Sequence, residues 1–200
     1  MSDIEGRLVQ LETQLQHLLD RQAILDCIAN NARGCDRQDV ELLAASYSKA
    51  GIDEHGTKFI NAGSDYPAWA NATHSASALQ TMHNITTHSC DINGDEAHAE
   101  SYSVGLFFNT DGKTARVLAG RYVDRLVKED GIWRIALRRC TLEVGLVGDA
   151  TIMNSDYLRE MGFLRGLPNQ NDVSYQRPLT LEDTPEGHRW SNPAAEGKQS

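Results

Sequence analysis

The first part of the chain repeats apolar residues at helical spacing. From residue 2 onwards, intervals of four and three residues alternate between Ile4, Leu8, Leu11, Leu15 and Leu18. This spacing puts them on one stripe and predicts an α-helix over residues 2–33. Ser2 and Glu5 fit a capping box at its start, and Gly34 fits the position just after its end. Because the stripe is short for a coiled coil, we expect the helix to pack on its own domain or on a neighbouring subunit.

Shorter elements are predicted between this helix and residue 82. Residues 38–47 (QDVELLAASY) indicate a second short helix, and residues 55–60 (HGTKFI) indicate a first strand. Residues 64–80 predict a third helix, since Ser64 or Asp65 can cap it and Pro67 falls in its first turn.

From residue 82 the pattern is that of strands separated by short turns. Strands are predicted at residues 82–92, 96–108, 114–129 and 132–146, with the turns NGD, NTDGK and EDG between them. Turns this short join antiparallel neighbours. Helices followed by an antiparallel sheet predict an α+β fold, in which the helices cover one face of a strongly bent sheet and leave a pocket.

The end of the chain differs in composition. We expect one domain over residues 1–148, a C-terminal extension over 149–185 that packs on the domain or a neighbouring subunit, and a flexible tail over 186–200. Residues 155–164 (SDYLREMGFL) predict a short helix. It either lids the pocket or packs on a neighbouring subunit, and the sequence does not choose.

The charge and composition of the chain argue against several classes of binding partner. The net charge of −9 disfavours nucleic acid and anionic membrane surfaces, and no apolar run reaches the length of a transmembrane helix. The N-terminus is unlike a signal peptide, so a cytoplasmic location is expected. Four scattered cysteines form no C-x-x-C pair, and no phosphate-binding loop or nucleophile elbow occurs. We therefore expect no metal and no cofactor.

Candidate chemistry lies where the first helix ends and the sheet begins. Asp36 follows the helix, where the helix dipole disfavours a carboxylate, and His83 starts a predicted strand. Strand alternation puts His83 on the face of Ile85, towards the interior, and His88 on the opposite face of a regular strand. An interior histidine needs a partner, and a carboxylate would orient it and raise its basicity. Spacing alone does not identify Asp36 as that partner.

The last strand carries two adjacent arginines. Alternation puts Arg139 on the face of Trp133 and Arg138 on the opposite face. One of the two is expected to point into the pocket and stabilise a developing anion. Further candidates to line the pocket are Tyr47, His55 and Tyr102.

Four stretches resemble the SnoaL-like branch of the NTF2-like superfamily. They begin DRQAILDCIANNARGCD, DEHG, MHNITTHSCD and GRYVDRLVKEDGIW, and they fall within residues 20–144. The resemblance implies a cone-shaped α+β barrel with an internal pocket, commonly in a homodimer or homotrimer. Its members include cofactor-independent lyases: scytalone dehydratase, bile-acid 7α-dehydratase, hexachlorocyclohexane dehydrochlorinase and lyases that release formaldehyde from lignin-derived diarylpropane diols.

The resemblance also implies roles for particular residues. The aspartate that orients the catalytic histidine in these lyases matches Asp36, and the histidine matches His83. Arg138 is the nearest match to an arginine used by some members. The chain departs from the pattern at Asn31, where many members carry a tyrosine. Asn31 can donate a hydrogen bond but is a poor acid, which weakens a strict dehydratase assignment and leaves proton abstraction intact.

These observations predict a cofactor-free lyase acting on a small apolar, aromatic molecule. His83, oriented by Asp36, abstracts a proton, and water, halide or a carbonyl fragment such as formaldehyde departs. Arg138 is the third catalytic candidate, and the expected substrate-binding residues are Asn31, Tyr47, His55, Tyr102 and His88. Two alternatives stay open: a double-bond isomerase of the ketosteroid-isomerase type, and a non-catalytic protein that binds a small molecule.

Overall fold

The computed structural model describes residues 3–181 and 189–190, which form four α-helices and a six-stranded sheet. The helices are α1 (Asp3–Arg37), α2 (Val40–Ala45), α3 (Tyr66–Ser77) and α4 (Asp156–Met161). The strands are β1 (Tyr47–Glu54), β2 (Ile60–Ala62), β3 (Ala78–Asn93), β4 (Glu96–Asn109), β5 (Thr114–Glu129) and β6 (Ile132–Asp149). Single 3₁₀ turns lie at Thr151–Asn154 and Val173–Tyr175.

The sheet runs in the order β2-β1-β6-β5-β4-β3. Strands β3 to β6 form the predicted antiparallel meander, and β1 joins β6 as the one parallel pair of this sheet. The sheet curls around the helices, and its edge strands β2 and β3 do not pair with each other. The predicted α+β fold, with N-terminal helices inside a bent and mainly antiparallel sheet, is therefore confirmed.

The first strand lies earlier than the sequence pattern indicates. The expected second helix ends at Ala45, and β1 begins at Tyr47, inside a segment with no regular alternation. Most of the predicted strand at 55–60 is instead the loop between β1 and β2. Strand β1 receives backbone hydrogen bonds from β6 on one side and β2 on the other, so tertiary pairing outweighs its weak local signal.

Helix α1 runs through Gly34 and ends at Arg37. A Cβ atom at Gly34 would lie 2.7 Å from Cγ of Leu43, so the glycine permits close packing between α1 and α2. Gln38, with φ at 49°, takes the left-handed conformation that turns the chain out of the helix. The prediction that Gly34 ends the helix is wrong, because this residue serves packing instead of a turn.

The two halves of α1 have different environments. The second half contributes Ile24 and Ile28 to a core that also contains Leu126, Trp133 and Ile135. Residues 3–19, in contrast, are exposed on every side of the helix. The whole apolar stripe is therefore uncovered within the described residues. Of the two expected arrangements, packing of the stripe on its own domain is wrong, and packing on a neighbouring subunit stays a prediction.

A buried ion pair lies on the inner face of the sheet, between β5 and β6. Arg138 is fully buried and donates from Nε and Nη2 to the two carboxylate oxygens of Asp124, at 2.8 and 2.7 Å. An extra residue in β6, Ala136, interrupts the alternation, so that Arg138 joins the inner face with Trp133. Arg139 consequently points outwards.

The C-terminal extension packs on the end of α1. Asp172 is buried and pairs with Arg37 at 3.2 Å, and the Tyr175 hydroxyl donates to Asp39 at 2.7 Å. These contacts join the extension to its own domain. Of the tail predicted to be flexible at 186–200, only Arg189 and Trp190 lie within the described residues. Within residues 3–181 and 189–190, no helix combines the length and apolar character needed to cross a bilayer.

The adjacent arginines provide a matched test of the buried pair. We expect Arg138→Met to lower the free energy of unfolding by about 3–5 kcal/mol, because the Asp124 carboxylate would stay buried without its partner. Arg139→Met removes an exposed pair with Glu54 and should cost less than about 1 kcal/mol. Urea denaturation measures both values. Equal losses in the two variants would contradict this assignment of the inner arginine.

Candidate active site

A cavity of about 560 Å³ lies between α3 and the inner face of the sheet. Its aromatic walls come from Tyr66 and Trp69 on α3 and from Phe107 and Tyr122 on the strands. This volume suits a small organic molecule, and predominantly apolar walls with a few polar groups are typical of ligand sites.

His83 lines this cavity and is paired with Asp36, which lies in the last turn of α1. The Nδ1 atom of His83 lies 2.7 Å from Oδ1 of Asp36, and the backbone N–H of His83 donates to Oδ2 at 2.8 Å. The Thr81 hydroxyl also donates to Oδ1, at 2.9 Å. Both side chains are about nine-tenths buried. The last turn of α1 is thus tied to the first part of β3, and the imidazole is fixed at the cavity wall.

These contacts keep Asp36 ionised and determine which ring nitrogen of His83 carries the proton. Burial alone would raise the pKa of Asp36, but hydrogen bonds from the imidazole and backbone of His83 and from Thr81, with the charge of His83, outweigh burial and lower it. Asp36 is therefore a carboxylate at neutral pH. Because it accepts from Nδ1, the neutral imidazole of His83 carries its proton there and keeps a lone pair on Nε2, as a general base requires.

A second histidine, His74, lies beside the first. The two rings have their centroids 5.3 Å apart, and His74 also lines the cavity. Burial, and then the charge of His83, lower the pKa of His74 to about 4. Its buried Nδ1 has no hydrogen-bond partner among the described residues. His74 is therefore a neutral imidazole at physiological pH, with a free ring nitrogen close to the base.

A second histidine–aspartate pair lies at the end of β1, and its histidine, His55, lines the cavity just after that strand. Nδ1 of His55 is hydrogen-bonded to Oδ1 of Asp53, which is fully buried and also accepts from the Tyr47 hydroxyl at 2.5 Å. Nε2 of His55 lies 3.2 Å from Sγ of Cys140. Burial raises the pKa of the Cys140 thiol, which stays protonated. His55 was a candidate from the sequence, but Asp53 was not, because the strand β1 that carries it was not predicted.

Arg116 is a cation at the cavity that sequence reasoning missed. It lies over the ring of Phe107, with 5.3 Å from guanidinium carbon to ring centroid, and donates to the Ser77 hydroxyl at 3.1 Å. Its buried Nε has no hydrogen-bond partner in the described part of the chain. Residue alternation on β5 could have placed it inside, but nothing in the local sequence distinguishes it from surface arginines.

Two predicted residues lie behind the cavity wall. Asn31 is buried, donates to the Ser46 hydroxyl at 2.8 Å and accepts from Nη1 of Arg138 at 2.7 Å. The guanidinium carbon of Arg138 lies 4.0 Å from the ring centroid of Tyr122, and Tyr122 lines the cavity. Neither Asn31 nor Arg138 is among the described residues that line the cavity. In this structure they support the wall and its aromatic ring.

The remaining predicted residues are also away from the cavity. Tyr102 is half exposed on the outer surface, where Arg121 lies over its ring, and Tyr47 is buried against Asp53. His88 bonds the buried Ser101 hydroxyl at 2.8 Å. A bulge between Ile85 and His88 breaks the regular strand and returns His88 to the inner face. The catalytic and binding roles assigned to these residues stay predictions.

No group of three histidine, cysteine, aspartate or glutamate side chains within the described residues is arranged to hold a metal ion. The chemistry that the cavity offers from its own side chains is proton transfer, at His83 and His55, beside a guanidinium donor.

Solved structures with the same fold include several enzymes. A provisionally assigned scytalone dehydratase from Novosphingobium aromaticivorans DSM 12444 is 22% identical, with a TM-score of 0.60, over 65% of this chain and 88% of that one. A hexachlorocyclohexane dehydrochlorinase from Novosphingobium barchaimii LL02 is 16% identical, with a TM-score of 0.63, over 68% and 94%. A Mycobacterium tuberculosis protein of unknown function is 25% identical, with a TM-score of 0.57, over 64% and 74%.

No protein of curated function matches the chain. The SnoaL-like domain family does match, over residues 16–139, which is more than half of the chain and includes both members of the Asp36–His83 pair. The chain belongs to the SnoaL-like domain family, with the NTF2-like fold that its structural neighbours share.

Proposed function

We propose that the protein is a cofactor-independent lyase that acts on a small aromatic molecule. The observation that carries the proposal is His83 at the wall of a 560 Å³ aromatic cavity, with Asp36 hydrogen-bonded to its Nδ1. The names of two neighbours of the same fold, a dehydratase and a dehydrochlorinase, support elimination chemistry without identifying the substrate.

In the proposed reaction, Nε2 of His83 takes a proton from a carbon or hydroxyl of the substrate. The electron pair of the broken bond forms a double bond to the neighbouring atom. The bond between that atom and the leaving group breaks, and the leaving group departs with its electron pair. Asp36 stabilises the imidazolium that forms. His74, neutral beside it, adds no second positive charge to oppose this proton transfer.

The leaving group needs a proton, and His55 is positioned to supply it. The Asp53 carboxylate accepts from Nδ1 of His55 and fixes the ring. Nε2, which lies 3.2 Å from Sγ of Cys140, is then the nitrogen that would pass a proton to a departing hydroxyl. The sequence suggested several groups for holding a substrate oxygen, and among the described lining residues His55 is the one of them that is present. Arg116, whose Nε is unpaired within the described residues, is a further donor for a developing oxyanion.

A phenolic 1,2-diarylpropane-1,3-diol fits this arrangement. Loss of the phenolic proton and of the benzylic hydroxyl, as water, gives a quinone methide. Deprotonation of the terminal hydroxyl then breaks the carbon–carbon bond, restores the aromatic ring and releases formaldehyde. The products are a phenolic stilbene, water and formaldehyde, which together account for every atom of the diol. The aromatic side chains of Tyr66 and Trp69 on α3, and of Phe107 and Tyr122 on the strands, offer surfaces for two rings.

The base is tested by removing its imidazole. His83→Ala should lower the turnover of such a diol by about 10²- to 10⁴-fold, the usual contribution of general-base catalysis. His98→Ala, which removes an exposed imidazole on β4, is the matched control and should leave turnover unchanged. Mass spectrometry of the stilbene and a formaldehyde assay follow the reaction. Equal rates in His83→Ala and the parent would refute the base, and a product of unchanged mass would indicate an isomerase.

The acid is tested separately at His55. His55→Gln keeps a polar side chain without a titratable proton, and we expect it to lower kcat by about 10²-fold with KM changed little. A substrate analogue whose leaving group needs no proton, such as a halide, should be insensitive to this substitution. The proposal for His55 fails if both substrates lose activity equally.

The neutral state of His74 predicts a pH dependence of stability. Its pKa falls from an ordinary 6.5 to about 4 on folding, so the unfolded chain binds more protons between these values. The contribution of His74 to the free energy of unfolding is fully present above pH 6.5 and is lost as the pH falls towards 4. Relative to the parent, His74→Phe should therefore lose less stability between pH 7 and pH 5, by an amount on the order of 2 kcal/mol. Urea denaturation at both pH values measures the difference, and parallel losses would contradict burial of a neutral imidazole.

A further inference from the structure

The first half of α1 extends away from the domain. Residues 3–19 are all exposed, and at 1.5 Å per residue they form a helical arm about 25 Å long. An isolated helix of this length is marginal in water, and most helical stability comes from packing of an apolar face. The arm therefore lacks, within the described chain, the contacts that would hold it helical.

The arm carries an uncovered apolar stripe. The exposed fractions are 76% for Ile4, 55% for Leu8, 61% for Leu11, 57% for Leu15 and 62% for Leu18. Intervals of four and three residues alternate along the whole set. This is the spacing of the a and d positions of a heptad, in which Leu8 and Leu15 take a and the other three take d. A stripe this narrow fits another helix better than it fits a flat protein surface or a membrane.

Charges beside the stripe specify the orientation of that helix. In this register Arg7 occupies a g position and Glu12 the following e position. Parallel helices bring g of one chain against the following e of the other, so Arg7 would meet Glu12 of a second copy twice across the pair. An antiparallel pair would oppose acidic e positions instead. Neither Arg7 nor Glu12 has an ion-pair partner within the described residues, although both lie on the arm.

The stripe ends where the helix reaches its own domain. The next a position is Gln22, which donates to Asp26, and Ile24 is fully buried in the core. The apolar seam thus occupies the extended arm alone, and the face that α1 buries in the domain is a different one. A partner on the seam would leave the domain core and the cavity unchanged.

We propose that the arms of two copies of this chain form a parallel, two-stranded coiled coil through Ile4, Leu8, Leu11, Leu15 and Leu18. The protein is then a dimer whose domains project from one end of the coil, with both cavities independent of the contact. The dimer covers the stripe, satisfies the Arg7 and Glu12 charges and stabilises an otherwise unsupported helix.

The seam is tested with the full-length chain in sedimentation velocity over a range of concentrations. Leu11→Glu should raise the dimer dissociation constant by about 100-fold or more, because two leucines leave the seam at once and two like charges enter it. Gln10→Glu adds the same charge on the outer side of the helix and is the control that should remain dimeric. A monomeric parent, or a Leu11→Glu protein that remains as dimeric as the parent, would overturn the proposal.

The orientation is tested by exchanging the charges. Arg7→Glu and Glu12→Arg should each weaken the dimer severalfold, since like charges then face each other, and the double variant should regain the parent's dissociation constant. Ile4→Cys provides a second measurement, because only a parallel pair brings the two thiols close enough to form a disulfide under mild oxidation. Absence of rescue in the double variant, or absence of the disulfide in a dimeric Ile4→Cys protein, would refute the parallel arrangement.

Discussion

The hydrogen-bonded contact between Asp36 and His83 is the interaction on which the rest of the site depends. It joins the end of a 35-residue helix to the first strand of the meander. A carboxylate at a helix C-terminus is disfavoured by the dipole, so three donors from β3 are needed to hold it charged. The same donors fix the imidazole and direct its second nitrogen away from Asp36.

A second layer of buried polar groups holds this arrangement from behind. Arg138, paired with Asp124 and Asn31, fixes the sheet against α1 and supports Tyr122 at the cavity wall. Buried charge networks of this kind are costly unless every group is satisfied, and Arg138 makes three hydrogen bonds to these two partners. Asn31 belongs to this support and is not among the described residues that line the cavity.

The sequence predicted the elements of the fold better than it predicted the faces of its strands. Helical spacing located α1, and short turns located the meander, because both are local signals. The sheet face predicted from strand alternation was wrong for two residues, Arg138 and His88. In each strand one extra residue in a bulge moves every later side chain to the other face. His74 and Arg116, which line the cavity, and Asp53, which bonds His55, were missed because their positions depend on the tertiary packing of α3, β5 and β1.

The most direct measurement of the central claim is the protonation of His83 itself, by nitrogen-15 NMR of the imidazole with the resonances assigned through His83→Gln. At neutral pH, the nitrogen shifts should show a proton on Nδ1 and a bare Nε2, and Asp36→Asn should abolish that preference. A proton on Nε2 in the parent, or the same tautomer in Asp36→Asn, would contradict a general base oriented by this carboxylate.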